Sequence, residues 1–414
     1  MNKETLAYYL TYQFVPKPFH SNPKFRFPKT YDPKKILKQN EAQVAKGLYA
    51  RLDRVIKSSL EQARGPVGLL LSGGLDSAIL LYLLRKNTNK KIYTISGAYA
   101  SDRSHLGLCA VLAKKYNTIH QELIITPADL PRLSELYLSR TQAPIGDNGF
   151  LATHLMLKAL SPSARTIYTG DGADCLFHGL KAHYLDLVDR EYLHRAKDPG
   201  SSAAVTRKLL VPKANYSEYA HYKYDEIFLT QDEARQYLGM ELDLARPLKD
   251  VMAKIRADDP IKKTILLDLN FLVVNRVDYI LKAAGANKVA MVLPYLDPAV
   301  VDYTLRIPEK YFIKDSEQKY ILKKAFEGKL PKEVVFQKKK GMTPPFLEWY
   351  TKDQTFVLQT LRKAKALGLS LEYIRYLAGH IKQSSQYAYG MRIWLVLNLV
   401  LWHDGQGLPA GTRL

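Results

Sequence analysis

Cysteine, acidic side chains and long apolar runs are all scarce in this chain of 414 residues. Its two cysteines, Cys109 and Cys175, fit neither the spacing of a metal site nor a disulfide framework. The most apolar stretch, residues 394–402, contains Asn398 and is too short to span a bilayer. No basic segment followed by an apolar one opens the chain. We therefore expect a soluble, cytoplasmic protein that makes no membrane contact.

The shortage of acidic residues leaves a strongly basic protein. Asp and Glu number 40 against 61 Lys and Arg, which gives a net charge of +21 and a pI near 9.6. Such a surplus favours nucleic acid, anionic lipid or acidic substrates as partners. The positive residues are nevertheless spread along the chain, and the densest run, residues 338–340, is short. A solvated basic surface therefore stays open as the simpler interpretation.

Apolar runs alternate with amphipathic segments between residues 66 and 169. The predicted strands are 66–71, 91–96, 120–126 and 166–169, and the predicted helices between them are 78–85, 103–116, 129–140 and 150–160. Strands that alternate with helices of this length predict an α/β fold with a doubly wound parallel sheet. Ligands of such sheets bind at the carboxyl ends of the strands.

The same patterns divide the chain into three segments. Residues 1–45 carry prolines at positions 16, 18, 23, 28 and 33 and are predicted to form an extended N-terminal arm. Residues 46–230 contain the alternating strands and helices and form the predicted α/β domain. Residues 231–414 are predicted to be mostly helical and to complete the active site.

The sequence Ser-Gly-Gly-Leu-Asp-Ser at residues 72–77 follows the first predicted strand and begins the next helix. Gly73 and Gly74 permit tight turns and close approach of a phosphate, which the helix N-terminus attracts with its N–H groups and positive dipole. Ser72 and Ser77 add hydroxyl donors, and Asp76 can hold a magnesium ion that bridges phosphates. The loop is not a Walker A loop. It resembles the pyrophosphate loop of the ATP pyrophosphatases, which cleave ATP between the α and β phosphates.

A second motif, Gly-Asp-Gly-Ala-Asp at residues 170–174, follows the fourth predicted strand. Asp171 and Asp174 can both point into one site, where one completes a magnesium shell and the other handles a proton or orients an attacking amine. Each motif alone is also compatible with an ordinary turn capped by Asp or Ser. Because both follow strands of one parallel sheet, they are predicted to lie at the same edge, and together they indicate one ATP site.

Several motifs in the same order resemble the synthetase domain of the asparagine synthetase family, which includes β-lactam synthetases and macrolactam-forming peptide cyclases. The family's Ser-Gly-Gly-x-Asp-Ser matches residues 72–77. Its second motif matches residues 170–179, with Cys175 in place of Glu and His178 in place of Gly. Residues 117–122, 294–297 and 338–342 are similar to its Gly-Thr-x-His-x-Glu, Pro-Phe-Leu-Asp and x-Lys-x-Gly-Phe segments. The resemblance covers nearly the whole chain.

The resemblance implies a role for each matching residue. The implied ATP-binding residues are Leu70, Ser72, Gly73, Gly74, Asp76, Ser77, Ser96 and Gly170, of which Leu70 and Ser96 frame the adenine mainly through backbone. Mg²⁺ would be held by Asp76 and Asp174. Asp171 would lie near the acyl-adenylate and help the incoming nitrogen. Lys339 would stabilise negative charge on the α-phosphate, although the lysine run by itself is typical of a solvated loop.

The implied activity is that of an ATP-dependent, amide-bond-forming synthetase acting on a small-molecule or peptide carboxylate. Classical members begin with a glutaminase domain whose N-terminal cysteine liberates ammonia, whereas residue 2 here is Asn and residues 6–16 resemble the start of the synthetase domain. Nitrogen would then come from free ammonia, a separate glutaminase subunit or an amine on the substrate. Ala290 and Val292 replace the family's Glu-x-Arg, which puts aspartate as the acyl substrate in doubt.

Two other functions stay open. An enzyme of the ATP-pyrophosphatase type that modifies tRNA or another nucleic acid would make use of the +21 charge, but no aromatic-rich RNA module is evident. A pseudoenzyme would bind nucleotide and scaffold a partner, but the chain keeps its candidate catalytic set. A steep salt dependence of RNA binding would identify the first alternative, and pyrophosphate release would exclude the second.

Overall fold

The computed structural model describes residues 1–16, 26–137, 143–179, 228–314, 317–335 and 343–406. Within them lies one five-stranded, all-parallel sheet with the order β3-β2-β1-β4-β5. Its strands are β1 Val67–Leu70, β2 Ile92–Tyr99, β3 Ile119–Ile125, β4 Thr166–Tyr168 and β5 Ala290–Val292. The predicted doubly wound α/β fold is confirmed, and β1 to β4 overlap the four predicted strands.

Helices precede the sheet and connect its strands. They are α1 Lys3–Tyr12, α2 Glu41–Gln62, α3 Leu75–Asn87, α4 Leu106–Lys115, α5 Phe150–Leu160 and α6 Ala173–Leu176. The helix predicted at 129–140 is instead a 3₁₀ helix, Pro127–Tyr137. Pro131 lies inside it and cannot donate a backbone hydrogen bond, which disfavours regular α-helix there.

The strand order reverses direction at β1, and this places the site. Strands β2 and β3 extend the sheet on one side of β1, whereas β4 and β5 extend it on the other. In open parallel sheets, ligands bind beyond the carboxyl ends of the strands where the order reverses, which here are β1 and β4. Both motifs, residues 72–77 and 170–174, directly follow these two central strands.

The remaining described chain is largely helical, as predicted. Its helices are α7 Gln231–Glu233, α8 Arg246–Met252, α9 Pro260–Leu267, α10 Val274–Ala286, α11 Pro298–Leu305, α12 Tyr320–Ala325, α13 Lys332–Val335, α14 Phe346–Lys352, α15 Gln354–Lys363, α16 Leu371–Gly379 and α17 Tyr387–Gly405. Strand β5 interrupts this series and lies outside the range predicted for the α/β domain. At three residues it is too short for the strand pattern to reveal.

The N-terminal segment corrects one prediction, because residues 3–12 form helix α1 rather than part of an extended arm. Its apolar side chains are buried, and two of its three tyrosine hydroxyls bond distant parts of the chain. Tyr9 donates to the carbonyl of Leu395 at 3.0 Å and Tyr12 to that of Leu244 at 2.6 Å. The prolines that suggested an arm begin only after this helix has ended. Contacts with the C-terminal helices therefore decide its structure.

Among the residues that the structure describes, no helix combines the length and the apolar character needed to cross a membrane.

Candidate active site

Hydrogen bonds of its own two serines fix the conformation of the loop between β1 and α3. The Ser77 hydroxyl donates to the carbonyl of Gly74 at 3.1 Å and accepts from the backbone N–H of Ser72 at 3.2 Å. The Ser72 and Ser77 hydroxyl oxygens lie 3.0 Å apart, and the N–H of Gly74 donates to Ser72 Oγ at 3.3 Å. Gly74 caps α3 without a side-chain hydrogen bond. No side chain of the N-cap residue therefore covers the positive end of the helix, a feature typical of anion-binding loops.

The two motifs are in direct contact. A Cβ added to Gly170 would lie 3.1 Å from the Cβ of Asp76, which is a tight contact, so the two loops pack closely against each other. Gly73 has φ +74°, a left-handed conformation that favours glycine. Gly172 also has a positive φ, of +94°, and a Cβ there would lie 2.4 Å from Leu296 Cδ2. Glycine is therefore strongly favoured at Gly73 and Gly172, where the two loops turn.

Asp76 and Asp174 converge on one ammonium group, that of Lys319. The Nζ atom lies 2.6 Å from both carboxylate oxygens of Asp76 and 2.7 Å from Oδ1 of Asp174. The lysine side chain is only 8% exposed, whereas the carboxylates are 20% and 28% exposed. Burial opposes the ammonium form, but the two carboxylates outweigh it and raise the pKa of Lys319 above its usual value.

Sequence reasoning missed Lys319. It immediately precedes α12, more than 240 residues after Asp76 in the chain. We found no feature in its local sequence that set it apart from the many other lysines of the chain. Lys319 also has φ +56°, which is unusual for a residue with a Cβ. Backbone strain at a functional site is common, because surrounding contacts hold the conformation in place.

The geometry is compatible with a bound Mg²⁺. A single point lies within hydrogen-bonding distance of oxygens from both Asp76 and Asp174, and a cationic group already occupies it. Among the described residues no group of three or more His, Cys, Asp or Glu side chains could hold a metal. Two carboxylates with substrate phosphates and water complete the coordination that Mg²⁺ usually takes in nucleotide sites.

Tyr295 is a second residue that the sequence did not single out for the site. Its hydroxyl donates to the backbone carbonyl of Asp76 at 3.0 Å, and its ring packs edge-on against Phe177. Burial, and then the charges of Asp76 and Asp174, raise the pKa of Tyr295 well above its usual value. The phenol therefore stays protonated and remains a donor. In the sequence this residue belongs to the segment that resembles Pro-Phe-Leu-Asp, and it has a tyrosine hydroxyl where that pattern has phenylalanine.

Asp171 lies in the same turn, and its orientation is fixed by a neighbour. The Thr169 hydroxyl donates to Asp171 Oδ2 at 2.5 Å. The N–H of Thr169 in turn donates to the carbonyl of Val292 at 3.2 Å, which brings the end of β5 beside this motif. His178, at the family's glycine position, adopts φ +52°, and its Nε2 lies 3.3 Å from the carbonyl of Ile261.

The structure describes Leu70 and Ser96, the two residues predicted to frame the adenine. Leu70 ends β1 next to β2, and Ser96 is buried and donates to the carbonyl of Leu71 at 2.5 Å. The hydrogen bond to Leu71 therefore occupies the Ser96 hydroxyl within the protein. Burial raises the pKa of the Cys109 thiol to about 11, so this thiol stays protonated. Lys339 lies outside the described residues.

A glycine-containing anion loop at the switch point of a parallel sheet, with acidic residues on the adjoining loop, defines a doubly wound α/β protein of the ATP-pyrophosphatase type. The chain belongs to the asparagine synthase family, whose model matches residues 47–404.

Curated relatives agree with this family. The chain is 21% identical to the glutamine-hydrolysing asparagine synthetase 1 of Bacillus subtilis, an alignment covering 98% of this chain and 69% of that protein. It is 23% identical to a protein of Mycobacterium tuberculosis provisionally named as a glutamine-hydrolysing asparagine synthetase. That alignment covers 86% of this chain and 57% of the mycobacterial protein. The chain therefore spans little more than half the length of some relatives that it matches.

Proposed function

We propose that this protein is an ATP-dependent amide synthetase that activates a carboxylate as its AMP ester and transfers the acyl group to ammonia or an amine. The observation that carries the proposal is the convergence of Asp76 and Asp174, from two different strand ends, on one cation position beside an anion-binding loop. Family membership supports the same chemistry.

The loop at residues 72–77 would bind the β and γ phosphates of ATP. Its serine hydroxyls hold the loop in shape through bonds to each other and to the backbone, so little ordering is needed when the nucleotide arrives. The N–H groups at the start of α3 would face the phosphate oxygens. The backbone at Leu70, the last residue of β1, and at Ser96, inside β2, would frame the adenine.

A magnesium ion held by Asp76 and Asp174 would neutralise phosphate charge and make pyrophosphate a better leaving group. Lys319 lies beside the same oxygens and would donate to the phosphates. Lys339 would stabilise negative charge on the α-phosphate. Asp171, oriented by Thr169, would accept a proton from or position the incoming nitrogen.

The proposed reaction has two steps. A carboxylate oxygen of the substrate attacks the α-phosphorus, the bond between that phosphorus and the bridging oxygen to the β-phosphorus breaks, and pyrophosphate leaves. The nitrogen nucleophile then attacks the acyl carbon, loses a proton, and AMP leaves with the electron pair of the broken carbon–oxygen bond. Water must be kept from the acyl-adenylate between the steps, which favours a covered site.

We propose that the carboxylate substrate carries a neutral substituent instead of the charged groups of aspartate. The end of β5 lies beside the motif that contains Asp171, through the bond from Thr169 to Val292. Ala290 and Val292 offer no charged group there, whereas the family pattern offers an acid and a base. A carboxylate with a neutral substituent fits this wall better, because an unpaired charge is costly to desolvate.

The direct test is exchange of labelled pyrophosphate into ATP, screened over amino acids, other small carboxylates and short peptides with magnesium present. Reversible adenylation predicts exchange that depends on one carboxylate and needs no nitrogen donor. Adding ammonium or an amine should then yield AMP and an amide. Production of ADP and phosphate instead of AMP and pyrophosphate would refute the proposal.

A variant separates the two steps. We expect Asp171→Asn to keep carboxylate-dependent exchange while losing amide formation by about 10²-fold or more, because general acid–base assistance contributes on this scale. Lys323→Met is the matched control, since Lys323 pairs with Glu317 outside the site. Equal loss of both steps in Asp171→Asn, with the control normal, would assign Asp171 to adenylation instead.

A further inference from the structure

Lys319 occupies the position that the proposed magnesium ion needs. Its ammonium contacts both oxygens of Asp76 and one oxygen of Asp174 within 2.7 Å. These oxygens are the protein ligands proposed for the metal. A lysine and a divalent cation therefore compete for the same carboxylates.

Contacts of neighbouring residues hold the Lys319 side chain in place against the two carboxylates. Gln318 donates to the backbone carbonyl of His178 at 3.1 Å, which ties the lysine's chain neighbour to the second motif. A Cβ on Gly179 would lie 2.0 Å from Lys319 Cε and 2.2 Å from Asp174 Oδ1. Glycine at this position is therefore what leaves room for the lysine side chain to reach the carboxylates.

The charges of Asp76, Asp174 and Lys319 determine whether a divalent cation can bind between them. The two carboxylates carry two negative charges, and the buried ammonium cancels one of them. Adding a divalent cation to this trio, without any further anion, would leave a net positive charge in a partly buried site and force two cations close together. A nucleotide brings several phosphate charges, which can pair with both the ammonium and the metal.

We propose that Lys319 is a built-in counter-cation that keeps the carboxylate pair closed to magnesium until a nucleotide triphosphate arrives. The phosphates draw the ammonium away from the carboxylates, and metal and nucleotide then bind together. This inference rests on the proposed ATP site. It assigns Lys319 a role in the order of binding, in addition to any contact with phosphate.

The test uses Mn²⁺ as the metal probe, with free Mn²⁺ measured by electron paramagnetic resonance. Wild-type protein is titrated with and without an ATP analogue whose α,β bridge is a methylene group. We expect the analogue to tighten Mn²⁺ binding by about tenfold or more, and Mn²⁺ to tighten analogue binding by the same factor, because coupling is reciprocal.

Lys319→Met removes the charge while keeping most of the side-chain volume. It should bind Mn²⁺ without nucleotide about tenfold more tightly than wild type, and the analogue should add little further gain. Lys323→Met, one turn along α12, should behave as wild type because its partner Glu317 lies outside the site. Magnesium alone should also raise the melting temperature of Lys319→Met and leave that of wild type unchanged.

Equal nucleotide-free Mn²⁺ affinity in wild type and Lys319→Met would overturn the proposal. Circular dichroism shows whether Lys319→Met folds. If it does not fold, the Mn²⁺ titration of wild-type protein tests the proposal alone, because tight Mn²⁺ binding without nucleotide would refute it. Failure of the proposed function gives a different result. In that case wild type would bind neither the analogue nor Mn²⁺ with the analogue, whatever the variant does.

Discussion

The hydroxyl of Tyr295 offers a sensitive test of how Asp76 is positioned. Tyr295→Phe removes one neutral hydrogen bond, 3.0 Å long, to the Asp76 carbonyl and leaves the buried ring in place. The carbonyl lies in the first turn of α3 and keeps its helical partner. We therefore expect the free energy of unfolding to fall by about 1 kcal/mol, the usual net value of such a bond.

Asp76 depends on this bond, so ligand binding should weaken as well. If the displaced Asp76 loses about 1 kcal/mol of further interaction that forms only in the bound state, magnesium-dependent binding of the non-hydrolysable ATP analogue weakens by about fivefold. Isothermal titration calorimetry measures this affinity without knowledge of the carboxylate substrate. Urea unfolding followed by circular dichroism measures the stability change on the same samples.

Tyr303→Phe is the matched control. The Tyr303 hydroxyl also donates to a backbone carbonyl at 3.0 Å, that of Val44, and the residue is also buried. We expect the same loss of about 1 kcal/mol in stability with no change in analogue affinity. Equal weakening of analogue binding in both variants, or none in Tyr295→Phe, would refute the claim that Tyr295 positions Asp76.

Three further predictions follow from single contacts. Asp174→Asn should abolish carboxylate-dependent pyrophosphate exchange by removing one carboxylate from the cation position. Asp53→Asn, which alters only the contacts of Asp53 with Lys86 and Asn87, should keep that exchange. Gly172→Ala and Gly239→Ala each place a residue with a Cβ in a left-handed backbone conformation, which costs about 1–2 kcal/mol of stability. Urea unfolding should show a larger loss for Gly172→Ala, because its new Cβ would also lie 2.4 Å from a leucine carbon. Burial lowers the pKa of Lys262 from 10.5 to about 7, so between these values the unfolded chain binds a proton that the folded one does not. The stability of wild type relative to Lys262→Met should therefore rise with pH across this window in urea titrations, and a flat difference would contradict the burial argument.

The sequence by itself determined the architecture and predicted the place of the candidate site. Apolar runs alternating with amphipathic segments predicted a parallel sheet, and β1 to β4 formed where they were expected. The motif at residues 72–77 predicted an anion loop because glycine freedom, serine hydroxyls and a helix start are local properties. The pairing of Asp76 with Asp174 also followed, since residues after neighbouring parallel strands lie at one edge.

Only the tertiary structure decided which other side chains reach that edge. Lys319 and Tyr295 come to Asp76 from 243 and 219 residues away in the chain. Helix α1 formed where an extended arm was predicted, because buried contacts with distant helices stabilise it. The three-residue strand β5 exists through its pairing with β4. Periodicity and local motifs record what neighbouring residues do, whereas these contacts depend on how distant segments pack, which no short stretch of sequence encodes.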